Sequence, residues 1–268
     1  MQYHWSVFTK PWKHREAHTL AEHVANLGFD GIELPVRPGF QVEPDHAERE
    51  LPQFARVMRA HGLSITSVAS TIAEPVFAGC QAAEIPLIRI MIAGDPALSW
   101  QENLAHAQQE LDTALPLCEK YGVSVGVQHH YGFSIFHPME LKVLLARYDP
   151  RWIGGVWDAA HSALAGEPPK KALDILGDHL LLVNLKNAYM CRINGPEAAQ
   201  ALYKPYFTTG SQGASSWHEI ADALRLKKYA GPICMCAEYT DIANTDYYIA
   251  QDLQYAKSIF EAESSPSC

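Results

Sequence analysis

Extended and helical patterns alternate along all 268 residues, predicting one α/β domain with the architecture of a (β/α)8 TIM barrel. Two observations carry that prediction. Short apolar runs recur from end to end, separated by longer segments with apolar residues every three to four positions. Four of the runs end in polar side chains: Val123 to Gln128-His129-His130, Trp152 to Asp158, Leu180 to Asn184-Leu185-Lys186, and Ile233 to Glu238. In a parallel barrel the C-terminal strand ends converge, so those four endings would build one pocket.

Taken in order, the first four strands are expected near His4–Phe8, Gly31–Leu34, Ser64–Val68 and Leu87–Met91, and the polar-ended runs complete eight. Helices are expected over 16–27, 44–61, 74–85, 100–121, 138–148, 170–179, 216–229 and 245–262. Start signals include Asp45 after Pro44, Ser99 before Trp100 and Ser215-Ser216 before Trp217. Gly28, Gly62, Gly122 and Gly231 mark helix ends. The rival fold is a doubly wound open sheet, but neither GxGxxG nor a P-loop follows the first strand. The long connection from Ala188 to Gly213 exceeds a simple turn and is expected to cover the pocket as a lid. The barrel is assigned to residues 1–262, and 263–268 read as a disordered tail.

Composition narrows the partners. With 48% hydrophobic and 19% charged residues the chain can bury a sizeable core. Lys and Arg number 21 against 30 Asp and Glu, for a formal charge of −9, which disfavours nucleic acid as a partner. No apolar run approaches the roughly 20 residues that span a bilayer, and the N-terminus lacks a signal-peptide pattern, so the expected location is the cytoplasm and no membrane partner is expected. The six cysteines show no CxxC spacing and read as reduced packing thiols.

The residues singled out for chemistry follow from what burial costs. A carboxylate and an imidazole at a buried strand end, Asp158 and His161, need a ligand, metal or partner. His129 and His130 point to opposite sides of an extended chain, so at most one faces the pocket, and His130 is favoured. Glu238 is a candidate ligand and base, with a salt bridge to Lys186 as the structural alternative. Lys186 could orient an anionic group or polarise an oxyanion. Glu33 could touch substrate hydroxyls or pair with Arg37 or Arg89.

These stretches resemble the sugar phosphate isomerase/epimerase superfamily, the xylose isomerase-like TIM barrels that include inosose dehydratases, 3-dehydroshikimate dehydratases and endonuclease IV. The resemblance runs from Leu27-Gly28-Phe29-Asp30-Gly31-Ile32-Glu33-Leu34 to Gly231-Pro232-Ile233 and Glu238-Tyr239. The family's Glu-x-His motif falls on Gln128-His129-His130, its Asp-x-x-His on Asp158 to His161, and its His-x-Lys-Asp on Asn184-Leu185-Lys186-Asn187. The resemblance therefore implies a divalent cation held by Gln128, Asp158, Asn184 and Glu238. With two carboxylates and two neutral amides, that all-oxygen set would take Mn²⁺ or Mg²⁺ before Zn²⁺. Gln128 has no titratable carboxyl, so Glu238 stands as the one glutamate base, with His161, Lys186 and His130 as further catalytic residues. Gln128, His130, His161, Glu33 and Lys186 are expected to bind substrate.

The expected function is a metal-assisted sugar or sugar-phosphate isomerase/epimerase acting by proton transfer on a small polyhydroxy carbonyl compound, with a homo-oligomer allowed. The alternatives are a dehydratase of the inosose or 3-dehydroshikimate type and a non-catalytic sugar-binding barrel. Endonuclease-like repair is the weakest reading, because zinc-ligand positions hold Gln or Asn and the charge is negative.

Overall fold

A computed structural model describes residues 3–132 and 135–261. The expected tail over 263–268, including Cys268, lies outside the described residues. The strands are β1 (Trp5–Phe8), β2 (Gly31–Pro35), β3 (Ser64–Ala69), β4 (Leu87–Ile90), β5 (Ser124–Gln128), β6 (Ile153–Asp158), β7 (Leu180–Leu185), β8 (Asn187–Arg192), β9 (Tyr203–Thr208) and β10 (Ile233–Cys236). Eight of them close into an all-parallel barrel in the order β1-β10-β7-β6-β5-β4-β3-β2, as expected of a (β/α)8 fold. The other two, β8 and β9, form an antiparallel hairpin.

Alternation along each strand sorts the side chains into two cores. Phe8, Ala69, Leu87, Val156, Leu182, Cys234 and Cys236 make a small cluster drawn from alternate strand positions inside the barrel. Their neighbours Trp5, Val7, Ile88, Val125, Trp157, Val183 and Met235 join the much larger core between sheet and helices. The same period of two carries the inward face of β6 from Val156 to Asp158. Register then sets Asp158 beside Asn184 and Asn184 beside Cys234 on adjacent strands.

The helices are α1 (Ala17–Leu27), α2 (Ala47–Ala60), α3 (Glu74–Ala83), α4 (Trp100–Tyr121), α5 (Pro138–Leu145), α6 (Ala159–Leu164), α7 (Pro169–Leu176), α8 (Trp217–Leu226) and α9 (Thr245–Phe260). Ser99 and Glu102 form a reciprocal capping box on α4, and the Ser216 hydroxyl accepts from the Glu219 N–H on α8. Asp45 caps nothing: it lies in a 3-10 turn over Pro44–His46 that precedes α2. Gly28 and Gly122 end α1 and α4 in the left-handed region at φ 88° and 65°, where a β-carbon would strain the backbone.

Two features that the sequence reading did not assign bear on function. The short helix α6 follows Asp158 directly and fixes His161. The connection expected to be a lid pairs as the β8–β9 hairpin, tied to the barrel mouth by Thr240, whose hydroxyl accepts from the Phe207 N–H at 2.9 Å and whose own N–H donates to the Phe207 carbonyl at 3.0 Å. Cys80, Cys118, Cys191, Cys234 and Cys236 are free thiols. Among the described residues no helix is long and apolar enough to cross a membrane.

Candidate active site

The polar ends of β2 to β6 form a buried relay. Glu33 is fully buried, and its two oxygens accept from Arg89 Nε at 2.8 Å and Nη2 at 2.7 Å, with Ser67 Oγ adding a third donor at 3.0 Å. Arg89 also donates through Nη1 to Gln128 Oε1 at 2.5 Å, and Gln128 Nε2 donates to Asp158 Oδ2 at 2.7 Å. The amide of Gln128 is thus oriented from both ends. Burial opposes the Arg89 charge, but the Glu33 carboxylate outweighs it and holds the guanidinium above its ordinary range. Glu33 was expected to touch substrate. Both its oxygens are taken and it does not line the pocket, so the alternative pairing with Arg89 is the one found.

Asp158 is held from three sides. Its Oδ1 accepts from the His161 N–H at 3.1 Å, which makes it the N-cap of α6. Its own N–H donates to His129 Nε2 at 3.0 Å, and His129 Nδ1 lies 3.0 Å from the Phe136 carbonyl. That pattern assigns the proton of a neutral ring to Nδ1. Burial lowers His129 to about 4, overriding the pull of Asp158, so this imidazole is a backbone brace between the ends of β5 and β6.

Lys186 lies where these elements meet Glu238. Its Nζ is 2.9 Å from Glu238 Oε2, 3.4 Å from Asp158 Oδ2 and 3.0 Å from His161 Nε2, with the Phe207 ring centroid 5.1 Å away. The other carboxylate oxygen of Glu238 pairs with Lys10 Nζ at 2.6 Å. Burial would lower Lys186, yet Asp158 and Glu238 outweigh it and keep the ammonium charged. Lys186, and then Lys10, hold Glu238 well below the usual carboxylate range. His161 is fully buried, accepts from Lys186 at Nε2, and is lowered to about 2 mainly by burial. Its Nδ1 has no hydrogen-bond partner among the described residues. The His130 ring packs against it, tilted by 44° with centroids 3.7 Å apart, and is itself lowered, first by burial and then by Lys186.

These side chains border two adjoining spaces. An inner cavity of about 50 Å³ is lined by Gln128, His130, Asn184, Lys186 and Glu238 together with Lys10, Arg37 and Arg89. It opens toward a pocket of about 570 Å³ walled by Phe40, Phe207, Tyr239 and Ile242 and floored by Lys186 and Glu238. Asp158 and His161 line neither. Of the expected substrate contacts, the arrangement therefore brings Gln128, His130 and Lys186 to the cavity, and leaves His161 behind them.

The four side chains that the resemblance assigns to a cation do not make a fitting donor set. Gln128 Oε1 faces Arg89 and its amide nitrogen faces Asp158, while the two carboxylates are joined by the Lys186 ammonium. A divalent ion bound between them would meet a positive charge at that point. Among the described residues no group of three or more His, Cys, Asp and Glu side chains is arranged to hold a metal. At the position where the resemblance implies a cation held by Gln128, Asp158, Asn184 and Glu238, the charge beside the two carboxylates in this structure is the Lys186 ammonium.

Three contributors were not singled out from sequence. Lys10 and Arg37 follow β1 and β2, and the rule that barrel strand ends face the pocket would have found them. Phe207 arrives through the hairpin, within the connection expected to cover the pocket, but no sequence signal singled out that residue.

Comparison with known proteins matches this architecture. Inosose dehydratase of Lactiplantibacillus plantarum is 27% identical over 127 residues, covering 46% of this chain and 42% of the relative. Inosose dehydratase of Bacillus velezensis is 25% identical over 153 residues, 55% of this chain and 49% of the relative. The match thus spans half or less of the length of those curated relatives. Among solved structures, D-psicose 3-epimerase in the presence of D-fructose superimposes with a TM-score of 0.72 at 15% identity, over 96% of this chain and 99% of that one. The IolI protein with a bound zinc atom gives 0.75 at 11% identity, over 97% and 99%, and the probable 3-DHS dehydratase AsbF of Bacillus anthracis gives 0.71 at 16%, over 95% and 98%. At such identities these likenesses establish the fold. The model of one family matches residues 21–259, and the chain belongs to it: the xylose isomerase-like TIM barrels.

Proposed function

We propose that this barrel is a lyase that removes water from a small polyhydroxy ketone, with Glu238 moving the proton and Lys186 holding the oxyanion. The observation that carries the reading is the pairing at the cavity floor. Glu238 is the one carboxylate bordering the inner cavity among the described residues, and it lies 2.9 Å from a buried ammonium. Two-face epimerisation needs a second base, and the strand-five position is the non-titratable Gln128, held between Arg89 and Asp158. A single carboxylate suits elimination. It removes the proton next to the carbonyl, the carbonyl oxygen becomes an enolate facing Lys186, and collapse of the enolate expels hydroxide from the β-carbon. The carboxylic acid returns its proton to that hydroxide, which leaves as water, and a carbon–carbon double bond remains.

The two lysines on Glu238 make it a weak base at rest. When the enolate oxygen competes for Lys186, the carboxylate loses part of that stabilisation and its basicity rises as the proton begins to move. Asp158 and His161 act from behind by fixing the Lys186 ammonium. The curated relatives named as inosose dehydratases support this reaction type.

A second reading, isomerisation or epimerisation, is favoured by His130, a neutral imidazole that borders both spaces and could serve as a second base. Incubation with inososes, 3-dehydroshikimate and ketohexoses in D2O separates the two. Product lighter by one water, with Glu238→Gln inactive, supports the lyase. Deuterium uptake with a rearranged but undehydrated sugar supports the isomerase, and binding without exchange or product overturns both.

A further inference from the structure

Nearly every charge around the inner cavity is paired inside the protein. Arg89 is taken by Glu33, and Lys10 and Lys186 by Glu238. Arg37 is the exception. Its guanidinium lines the same cavity, is half-buried, and has neither a carboxylate within 4 Å nor a hydrogen bond among the described residues. Its nearest neighbour of note is the Phe8 ring, whose centroid is 5.8 Å away. Backbone bonds fix its base, with the Arg37 N–H donating to Val42 at 3.2 Å and its carbonyl accepting from Phe40 at 3.1 Å.

The same cavity is lined by Asn184, fully buried, with both amide atoms lacking a hydrogen-bond partner among the described residues. A buried amide left unsatisfied is unfavourable unless something enters to bond it, and a half-buried guanidinium with no carboxylate beside it is open to an anion. At about 50 Å³ the cavity exceeds the ~10–15 Å³ needed to admit a water and is too small for a whole sugar.

We propose that the inner cavity is an anion subsite, in which the Arg37 guanidinium and the Asn184 amide bind a carboxylate or phosphate carried by the substrate. The polyhydroxy ketone is then an acidic one, its charged end on the Arg37 side and its carbonyl beside Lys186. A planar guanidinium fork matches two oxygens of either anion, and the amide supplies a further donor. The identification of the anion's carrier as the substrate rests on the reaction proposed above; the anion subsite itself does not.

Calorimetric titration of the full chain with D-fructose, D-fructuronate and D-fructose 6-phosphate tests it, because these ketoses differ mainly in charge at one end. At least one anionic ketose is expected to bind about tenfold or more tighter than D-fructose, with a gap that shrinks as salt is added. Whichever of the two anions binds tighter names the carrier group. In Arg37→Met, with an unchanged melting temperature, the gap should vanish while any affinity for D-fructose stays. Equal affinities, no binding by either anion, or a gap that survives in Arg37→Met would overturn the subsite. Since binding needs no turnover, failure of the elimination chemistry would show separately, as tight anion binding without product.

Discussion

The Glu33–Arg89 pair under β2 and β4 and the Asp158–Lys186–Glu238 chain under β6, β7 and β10 are both buried ion pairs at the same end of one barrel, yet they differ in what is left over. Around Glu33 every oxygen is used, by a bidentate guanidinium and by Ser67, and both side chains are nearly solvent-free at 0% and 4% exposure. Around Lys186 the balance is incomplete. Glu238 is 26% exposed and shared with a surface lysine, His161 Nδ1 and both amide atoms of Asn184 have no partner among the described residues, and the cavity is lined by Asn184 and Glu238. A closed network fixes shape; an open one has capacity for a ligand.

Lys186→Met should have the largest effect, because within the open network it removes both a buried charge partner and a chemical group. It leaves Asp158 as a buried charge, with a loss of about 3–5 kcal/mol of stability, and it removes the oxyanion donor, with a fall of about 10²–10³ in kcat. Urea unfolding and turnover per folded molecule measure the two separately. Arg89→Met should lose a similar stability, about 3–5 kcal/mol, by stranding Glu33. Its double variant with Glu33→Gln should lose less than the sum of the single changes. If the two losses simply add, the pair is not the coupled unit described here.

Glu238→Gln should act in the opposite sense. Its kcat is expected to fall about 10²–10⁴-fold, while urea unfolding changes little, since the residue is partly hydrated. A large stability loss with normal turnover would move Glu238 to the structural side of the comparison.

Acid should weaken the brace behind the open network. His129 is neutral in the fold, lowered to about 4 from an ordinary 6.5, so the unfolded chain binds its proton first as pH falls. Its contribution is fully present above about 6.5 and is lost progressively as pH falls toward 4. Asp252, raised to about 6 by burial, titrates in the same window with the opposite sign, its stabilisation being lost as pH rises from about 3.8 through 6. The difference between wild type and His129→Gln in stability against pH isolates the imidazole. A flat difference between pH 4 and 6.5 would contradict this assignment. The smallest effect is expected from chelation: EDTA dialysis should leave turnover unchanged, because Lys186 supplies the charge between the carboxylates. Loss of activity restored by Mn²⁺ would reverse that conclusion.

Much of this was legible along the chain. The alternation of apolar runs with amphipathic segments marked all eight barrel strands, and the polar endings at Gln128, Asp158, Asn184 and Glu238 marked the side of the barrel that carries the site. Glu33 was read with two partners and Glu238 with one structural alternative; the fold selected Arg89 for the first and added Lys10 to the second. The Ala188–Gly213 connection was read as a pocket-covering lid with no strands assigned to it; it pairs as the β8–β9 hairpin, with Pro205 opposite Met190, and brings Phe207 to the pocket wall.

By itself the sequence determined the barrel and which strands end in polar groups, because hydrophobic period and strand-end polarity are local properties of the chain. Only the tertiary structure decided how those groups pair, since Lys10, Arg37, Arg89, Lys186 and Glu238 lie far apart in sequence and are brought to one cavity by closure of the sheet. Coulomb interaction depends on distance and burial rather than on order along the chain. For that reason the Lys186 ammonium between Asp158 and Glu238 was visible in the fold and not in the motif.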